Sequence, residues 1–193
     1  MTAQPVGGAK TVIRRYGRTI ANQRYVLRPG AYAILPRGRS LLLTFQQEPF
    51  WEYQLPGGGI DPGESPIAAL HREVFEETGW RIAAPRRIGA FRRFIYMPEY
   101  ELWAEKLCHI YVARPVRSHG PPIESGHTAV WTSADDAANI LHDEASQSFI
   151  LNSTVLNKFL PKVAHHIPKA RQKCHPEMAG HRRILPNPRS AFQ

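Results

Sequence analysis

Three glutamates near the middle of the chain have the spacing needed to form one anionic cluster. Glu73, Glu76 and Glu77 are three and four residues apart, so a helix would carry their carboxylates on one face. Adjacent anions repel one another unless a cation joins them, and carboxylate oxygens are hard ligands that suit Mg²⁺ or Mn²⁺. We therefore expect a divalent-metal site that attracts a polyanion, although a solvated acidic helix face has the same pattern.

A Gly- and Pro-rich loop precedes this predicted helix and can bring backbone groups to the same point. The loop covers residues 54–63 and contains three successive glycines. Ser65 has the side chain of an N-cap, Pro66 suits the first helical turn, and Gly79 suits the C-terminal end. The predicted core-facing stripe, on the side away from the glutamates, consists of Ile67, Leu70, Val74 and Thr78.

Runs of β-branched and aromatic residues on both sides of the helix predict a sheet. Strands are predicted within residues 11–35 and near 41–45, 88–96, 107–114 and 128–131. A second helix begins after Ser133, and a further apolar-periodic helix carries Phe149, Leu156, Phe159 and Leu160. Strands before, between and after helices predict an α/β protein built around a mixed sheet.

Composition and charge narrow the class of protein. The chain has 193 residues, 25 Lys and Arg against 16 Asp and Glu, and a formal charge of +9. No carboxylate precedes Glu48, residues 48–160 are net acidic, and residues 161–193 are basic again. We predict one domain over 1–160 and a basic C-terminal extension over 161–193. The basic excess suggests an acidic partner, and it does not choose among phosphates, nucleotides, nucleic acid and an anionic membrane surface.

Several classes of protein are not expected. No apolar run approaches the roughly 20 residues of a membrane-spanning helix, so no membrane partner is predicted. The first residues lack the apolar core of a secretory signal. The two cysteines do not indicate a disulfide framework, so a cytoplasmic protein is expected.

The segment from Gly58 to Trp80 resembles the signature of the Nudix hydrolases. That signature reads Gly-x5-Glu-x7-Arg-Glu-U-x-Glu-Glu-x-Gly-U, where U is a bulky aliphatic residue, and all seven fixed positions match. Trp80, at the last U position, is the one departure. The resemblance implies a Nudix-type α/β/α sandwich with a mixed, curved sheet between helices. It also implies Mg²⁺- or Mn²⁺-dependent hydrolysis of a diphosphate linkage in a nucleoside diphosphate derivative.

The resemblance assigns roles position by position. It implies a metal site formed by Glu73, Glu76, Glu77 and the carbonyl group of Gly58. Arg72 would orient a neighbouring glutamate or hold the loop, and Glu64 would lie near the metal or support Arg72. Since the family is not uniform about its general base, Glu77, Glu105 and Glu124 are all candidates. The candidate catalytic residues are therefore Glu64, Arg72, Glu76, Glu77, Glu105 and Glu124.

The substrate is less determined than the reaction. Residues 55–61 resemble ADP-ribose and nucleotide-sugar hydrolases as well as mutator-type (d)NTP pyrophosphatases, and the spacing from Trp80 to Tyr96 resembles that of diadenosine polyphosphate hydrolases. Basic and aromatic side chains can hold such a ligand by charge and by stacking. The candidate substrate-binding residues are Arg28, Phe50, Trp51, Arg93 and Tyr96.

A second class of function has the same fold. The chain could be a non-catalytic nucleotide sensor or a nucleic-acid-binding module that uses its basic ends. The complete signature favours catalysis, because a sensor does not need the full ligand set, so nucleic acid is the less favoured partner. A homodimer is possible because many relatives are dimers. The loose spacing of Cys174, His175 and His181 does not indicate zinc.

Overall fold

The computed structural model describes residues 13–152. In this part of the chain, eight strands form one sheet and three α-helices pack on it. The elements are β1 (Arg14–Tyr16), β2 (Val26–Arg37), β3 (Ser40–Gln46), β4 (Glu52–Gln54), β5 (Gly57–Gly59), α1 (Pro66–Thr78), β6 (Trp80–Met97), β7 (Leu102–Ser118), β8 (His127–Ser133), α2 (Ala134–Ile140) and α3 (Glu144–Asn152), with a 3-10 turn at Pro98–Tyr100.

The sheet is mixed. Its strands lie in the order β1-β6-β7-β2-β3-β4, with β5 beside β2 and β8 beside β3. β1 pairs with β6 and β2 pairs with β7 in parallel, whereas the other pairs are antiparallel. α1 packs against one face, and α2 and α3 pack against the other. The predicted α/β/α sandwich with a mixed sheet is confirmed.

The central strand β2 shows why both faces of the sheet are covered. Successive side chains of a strand point to opposite faces. Ala31, Ala33 and Leu35 pack into the cluster around α1, while Tyr32 and Ile34 pack into the cluster that contains α2 and α3. A strand that is buried on both sides needs a continuous apolar run, and this run is present in the sequence.

The two strands that follow α1 are longer than predicted. β6 begins at Trp80 rather than near residue 88, and β7 continues to Ser118 rather than 114. Pro85 is unfavourable inside a strand and suggests a turn. The pairing with β7 absorbs it in a register shift between Ala83 and Arg86. The basic residues on either side therefore belong to one long antiparallel hairpin.

Both predicted ends of α1 are confirmed. The Ser65 Oγ accepts a hydrogen bond from the Ala68 N–H at 3.1 Å, which caps the first turn. Gly79 adopts a left-handed φ of 71° and donates its N–H to the Phe75 carbonyl at 2.8 Å. In the predicted apolar stripe, Ile67 is exposed and the other three members are buried.

We expect Gly79→Ala to lower the free energy of unfolding by about 1–3 kcal/mol, because an alanine strains a left-handed backbone. An added Cβ would also lie 2.2 Å from the Gly120 carbonyl oxygen. Gly38→Ala is the matched control, since Gly38 has a φ of 57° and no atom within 4 Å of its added Cβ. Urea unfolding should show the larger loss for Gly79→Ala. Equal losses would contradict the close contact at Gly120.

None of the helices within the described range of 13–152 has the length and hydropathy needed to cross a bilayer.

Some predictions concern residues outside the described range of 13–152. The boundary between a domain over 1–160 and an extension over 161–193 stays a prediction. The other residues singled out in the sequence that lie outside the described range are Leu156, Phe159, Leu160, Cys174, His175 and His181.

Candidate active site

Arg72 connects the glycine-rich loop to the carboxylates of α1. Its Nε and Nη2 donate to the two carboxylate oxygens of Glu64 at 3.1 and 2.9 Å. Its Nη1 donates to Glu73 at 2.8 Å and to Glu76 at 3.2 Å. Nη2 also reaches the carbonyl oxygen of Gly59 at 3.1 Å. A planar guanidinium with five donors can make all these bonds at once, which a lysine cannot.

Gly58 allows Glu73 to lie directly against the loop. A Cβ at position 58 would lie 2.5 Å from a carboxylate oxygen of Glu73. The backbone of Gly58 is fixed by pairing with Ala31 of β2. Only glycine, which has no Cβ, leaves room for the carboxylate here, so the Glu73 carboxylate packs directly against the backbone of the loop.

Glu77 lies on the buried side of α1, contrary to the prediction that all three glutamates face away from the core. Its side chain is 8% exposed, and its Oε2 accepts a hydrogen bond from the Gly57 N–H at 2.9 Å. The reason is helical geometry, because residue 77 follows the buried Val74 by three positions and shares its face. The glutamates therefore extend from the surface into the core.

The segment after β7 docks on the C-terminal end of α1. The His119 N–H donates to the Gly79 carbonyl at 2.9 Å. The N–H groups of Ile123 and Glu124 both donate to the Glu76 carbonyl, at 2.8 and 3.0 Å. These bonds satisfy carbonyl groups that a helix end leaves without partners. They bring Glu124 to the cluster of glutamates, 47 residues along the chain from Glu77.

His127, the first residue of β8, lies between two carboxylates. Its Nε2 is 3.7 Å from Glu77 Oε1, and its Nδ1 is 3.9 Å from Glu124 Oε2. The side chain is 8% exposed, and Nδ1 has no hydrogen-bond partner in the described part of the chain. One ligand atom from each of the three residues lies within 4.8 Å of the others, which suits a bound metal ion.

Glu105 lies away from this cluster. It forms an ion pair with Arg92 on β6. Along β7 it is four residues from His109, which is in register with Ala31 beside the glycine loop. Four strand residues span about 13 Å. The structure therefore brings one of the two outside candidates, Glu124, to the α1 carboxylates and leaves Glu105 in a separate ion pair.

The cluster is short of positive charge. Burial raises the pKa of Glu77 well above its ordinary value, and burial also raises the pKa of Glu73 despite the nearby Arg72. The last turn of α1 contains no basic residue, although the C-terminal end of a helix is itself negative. A divalent cation would compensate these buried anions, and the donor set of carboxylates with one unpartnered imidazole nitrogen fits one.

A cleft lies on the opposite face of the sheet, beside α3. Tyr32 connects the two places, because its side chain lines the cleft while its backbone pairs with Gly57, the donor to Glu77. Burial raises the pKa of Tyr32 to about 12, so its hydroxyl keeps its proton at neutral pH. The cleft is lined by Tyr32, Glu52, Gln54, Leu55, Phe91, Arg93, Lys106, Cys108, His142, Asp143 and Ser146.

Three cations form a row across neighbouring strands at this cleft. Lys106 of β7 is in register with Arg93 of β6 and with Arg28 of β2. Arg93 and Lys106 line the cleft, and Arg28 stacks on the ring of Tyr100, with its guanidinium carbon 4.6 Å from the ring centroid. Like charges at directly opposite positions destabilise a sheet unless an anion lies between them. Two cations of this row, Arg93 and Lys106, thus line the cleft together with the carboxylates of Glu52 and Asp143.

The aromatic candidates are not gathered in the cleft. Phe50 and Trp51 are 55% and 80% exposed and lie just before β4, whose Glu52 lines the cleft. Tyr96 packs on Trp103 near the far end of the β6–β7 hairpin, with ring centroids 5.3 Å apart. Of the five substrate-binding candidates, Arg93 lines the cleft itself, and Arg28 lies at the other end of the cation row, beyond Lys106.

Comparison with known proteins identifies the family of this chain. A family model described as the NUDIX domain matches residues 26–152. The chain belongs to the NUDIX family. Its Nudix domain is 40% identical over 76 residues to a candidate 8-oxo-dGTP diphosphatase of Bacillus subtilis, covering 38% of this chain and 50% of that protein.

Two further comparisons place the Nudix domain among known proteins. It is 31% identical over 132 residues to a CMP-5'-(N-acetyl-N-hydroxy-3-aminopropyl)phosphonate hydrolase of Streptomyces rubellomurinus, covering 65% of this chain and 61% of that protein. A solved MutT NUDIX hydrolase from Burkholderia pseudomallei superposes with a TM-score of 0.54 at 20% identity, over 67% of this chain and 99% of that one. The chain thus spans between half and two thirds of the length of these two curated relatives.

Sequence reasoning missed two residues of the Nudix domain that the structure brings to the site. His127 begins an unremarkable strand with no motif around it, and only the pairing of β8 with β3 turns it toward Glu77. Lys106 reads as one of many basic residues. The one signal that it faces inward is its spacing: Lys106 lies two residues from each of the buried Ala104 and Cys108, and such residues of a strand share one face.

Glu77 gives the Nudix domain a specific pH dependence without metal. The pKa of Glu77 in the folded state lies well above the ordinary 4.5. The protonated side chain therefore makes its full contribution to the free energy of unfolding below pH 4.5, and this contribution is lost as the pH rises. In EDTA, we expect the melting temperature of the wild type to fall between about pH 5 and about pH 8 by more than that of Glu77→Gln.

The control for this measurement is Glu64→Gln, because the effect of pH on the stability contributed by Glu64 has the opposite sign. Hydrogen bonds from Arg72 lower the pKa of Glu64, so its contribution is present above the ordinary 4.5 and is lost as pH falls. Removing Glu64 should therefore flatten the acid side of the stability profile. Parallel profiles for the wild type and Glu77→Gln would contradict the burial of an ionisable Glu77.

Proposed function

We propose that this protein is a divalent-metal-dependent hydrolase of a diphosphate linkage in a nucleoside diphosphate derivative. The observation that carries the proposal is the convergence of four carboxylates. Glu73, Glu76 and Glu77 come from one helix, and Glu124 is brought to them by a docked loop. Buried anions at the C-terminal end of a helix are costly without a cation. A bound divalent cation would compensate this cost, and the function of such a site would explain why the carboxylates are gathered there.

The metal site is assigned to Glu73, Glu76 and Glu77, with the carbonyl group of Gly58 as a further ligand. Mg²⁺ or Mn²⁺ bound there would neutralise phosphate oxygens and make a water molecule more acidic. Arg72 positions two of these glutamates through its hydrogen bonds at 2.8 and 3.2 Å. Glu64, which receives two further bonds from Arg72, positions the guanidinium.

Glu124 is the proposed general base. Its side chain is half exposed, so water can reach it, and its backbone is held by the bond to the Glu76 carbonyl at 3.0 Å. Glu77 is a poorer choice because its side chain is only 8% exposed, so water reaches it less readily than it reaches Glu124. Glu105 is paired with Arg92 and lies elsewhere on the sheet. A base must reach its proton, and this geometry favours Glu124.

The cleft beside α3 is the proposed place for the nucleotide. Arg93 and Lys106 there supply positive charge for an anionic group, and the Tyr32 hydroxyl can donate a hydrogen bond. Tyr32 also links the cleft to the glycine loop through Gly57. A ligand that reaches from the cleft around β5 would present its phosphates to the glutamates. This path suits a nucleoside with a diphosphate chain.

Arg93→Gln is expected to raise KM about tenfold with a smaller change in kcat, because a charged hydrogen bond to the ligand contributes about 1.5–3 kcal/mol. The matched control is Arg92→Gln, the adjacent residue, whose side chain points to the opposite face and pairs with Glu105. Steady-state kinetics with the best substrate would measure both. An equal change in KM for the two variants would contradict the assignment of the cleft.

The proposal is tested with a panel of substrates and the full-length protein. ADP-ribose, nucleotide sugars, dinucleoside polyphosphates and (d)NTPs are incubated with Mg²⁺ or Mn²⁺, and phosphate-containing products are separated by ion-exchange chromatography. We expect at least one compound to be cleaved at its diphosphate linkage. If nucleotides bind and none is cleaved, the protein is a non-catalytic sensor. Salt-sensitive binding to RNA or DNA alone would favour a nucleic-acid-binding module.

A further inference from the structure

We propose that His127 is a metal ligand that, with Glu77 and Glu124, gives this site a preference for transition metals such as Mn²⁺ over Mg²⁺. This inference deepens the proposed function and rests on a cation being bound at the α1 carboxylates. It adds a nitrogen donor from outside the Gly58–Trp80 segment.

The imidazole of His127 is buried in a place where it lacks hydrogen bonds. Nε2 is 3.7 Å from Glu77 Oε1 and Nδ1 is 3.9 Å from Glu124 Oε2, and both distances exceed a normal hydrogen bond. The side chain is only 8% exposed, and yet Nδ1 has no hydrogen-bond partner in residues 13–152. A buried polar atom without a partner is costly, so the atom is expected to have a ligand in the working protein.

The position of His127 is fixed by the sheet rather than by a flexible loop. His127 is in register with Gln46 of β3, and the carbonyl of the preceding Gly126 accepts a hydrogen bond from the Gln47 N–H at 2.9 Å. Ala129 and Trp131 of the same strand pack against the cluster around α1, which places His127 on that face as well. The ring is thus held toward Glu77.

The chemistry of the donor set predicts the metal. One ligand atom from each of Glu77, Glu124 and His127 lies within 4.8 Å of the others, a spread that a single cation can bridge with small side-chain adjustments. Mg²⁺ prefers oxygen ligands, whereas imidazole nitrogen suits transition metals; among these, Mn²⁺ also suits the carboxylate oxygens of this site. Because a carboxylate has two oxygens, Glu124 can bind the cation through one and accept a proton through the other.

The test is electron spin echo envelope modulation of the Mn²⁺-loaded, full-length protein. We expect modulation from a directly coordinated nitrogen in the wild type, with frequencies that change when histidine is labelled with ¹⁵N. The modulation should be lost in His127→Asn and kept in His109→Asn. His109 is the matched control because its Nδ1 is also buried without a partner, but it has no carboxylate beside it in the described residues.

Calorimetry provides a second readout with the metals alone. His127→Asn should weaken Mn²⁺ binding about tenfold and change Mg²⁺ binding by less than about threefold. Absence of nitrogen modulation in the wild type, its survival in His127→Asn, or failure to bind Mn²⁺ would overturn the inference. Even if the variants do not fold, the labelled wild type shows whether a histidine nitrogen is a ligand of the metal.

The outcome separates this inference from the proposed function. Nitrogen modulation without hydrolysis of any substrate would leave the metal ligand in place and remove the enzymatic function. Hydrolysis without nitrogen modulation would keep the enzyme and remove His127 from its metal site.

Discussion

Glu73→Gln is expected to reduce kcat/KM by at least about 100-fold, because loss of a metal ligand removes several kcal/mol of charge stabilisation. Glu73 is the carboxylate that packs against Gly58, and it also receives the shortest of the Arg72 hydrogen bonds to the α1 glutamates, at 2.8 Å. The glutamine keeps the shape of the side chain but not its charge. Calorimetry should show weaker Mg²⁺ and Mn²⁺ binding by the same variant.

Stability measurements distinguish this loss from unfolding. Because burial raises the pKa of Glu73, a neutral glutamine at this position should not lower the melting temperature in EDTA at neutral pH. Added Mn²⁺ should raise the melting temperature of the wild type and leave that of Glu73→Gln almost unchanged, since a ligand stabilises the state that binds it. Glu99→Gln, in the exposed 3-10 turn, is the control with full activity. A fully active Glu73→Gln would contradict the assigned metal site.

Glu124→Gln is expected to lower kcat by about 10²–10⁴-fold, the usual contribution of a general base. The matched change is Glu105→Gln, which removes the other outside candidate and leaves kcat within about threefold of the wild type. The structure separates the two residues, because Glu124 is bonded through its backbone to the end of α1 while Glu105 is paired with Arg92. Single-turnover kinetics would measure the chemical step directly.

The pH dependence of the residual rate tests the role of Glu124 further. A missing base should abolish the acid limb of the pH–rate profile, whereas a merely structural change should leave its shape unaltered. A large loss of rate in Glu105→Gln together with a normal Glu124→Gln would reverse the assignment.

The sequence was enough to predict helix α1, whereas the loop predicted over residues 54–63 contains the short strand β5. Ser65 and Gly79 mark the ends of α1 because the cap chemistry is local, and the structure shows both caps. The continuous apolar run of residues 31–35 lies within the strands predicted over residues 11–35, and the structure buries it on both faces of the sheet. The order of strands along the chain does not by itself determine their order in the sheet, which is why the topology required the structure.

The site was less predictable where it depends on long-range pairing. Glu124 and Glu105 are equal candidates in the sequence, and the backbone bonds to Glu76 separate them. His127 carries no local signal because β3 alone sets its register. Pro85 suggests a turn, whereas the long β6–β7 pairing overrides this preference with a register shift. Each of these depends on tertiary contacts.

Hydrolysis measured against free metal concentration tests the central claim most directly. The best substrate of the panel is incubated with the wild type after EDTA treatment, and product is followed as Mg²⁺ or Mn²⁺ is added back. We predict no hydrolysis in EDTA, full recovery on addition of either metal, and saturation at the concentration at which calorimetry finds the metal bound. Hydrolysis that persists in EDTA, or that is the same in Glu73→Gln as in the wild type, would contradict a metal-dependent site on α1.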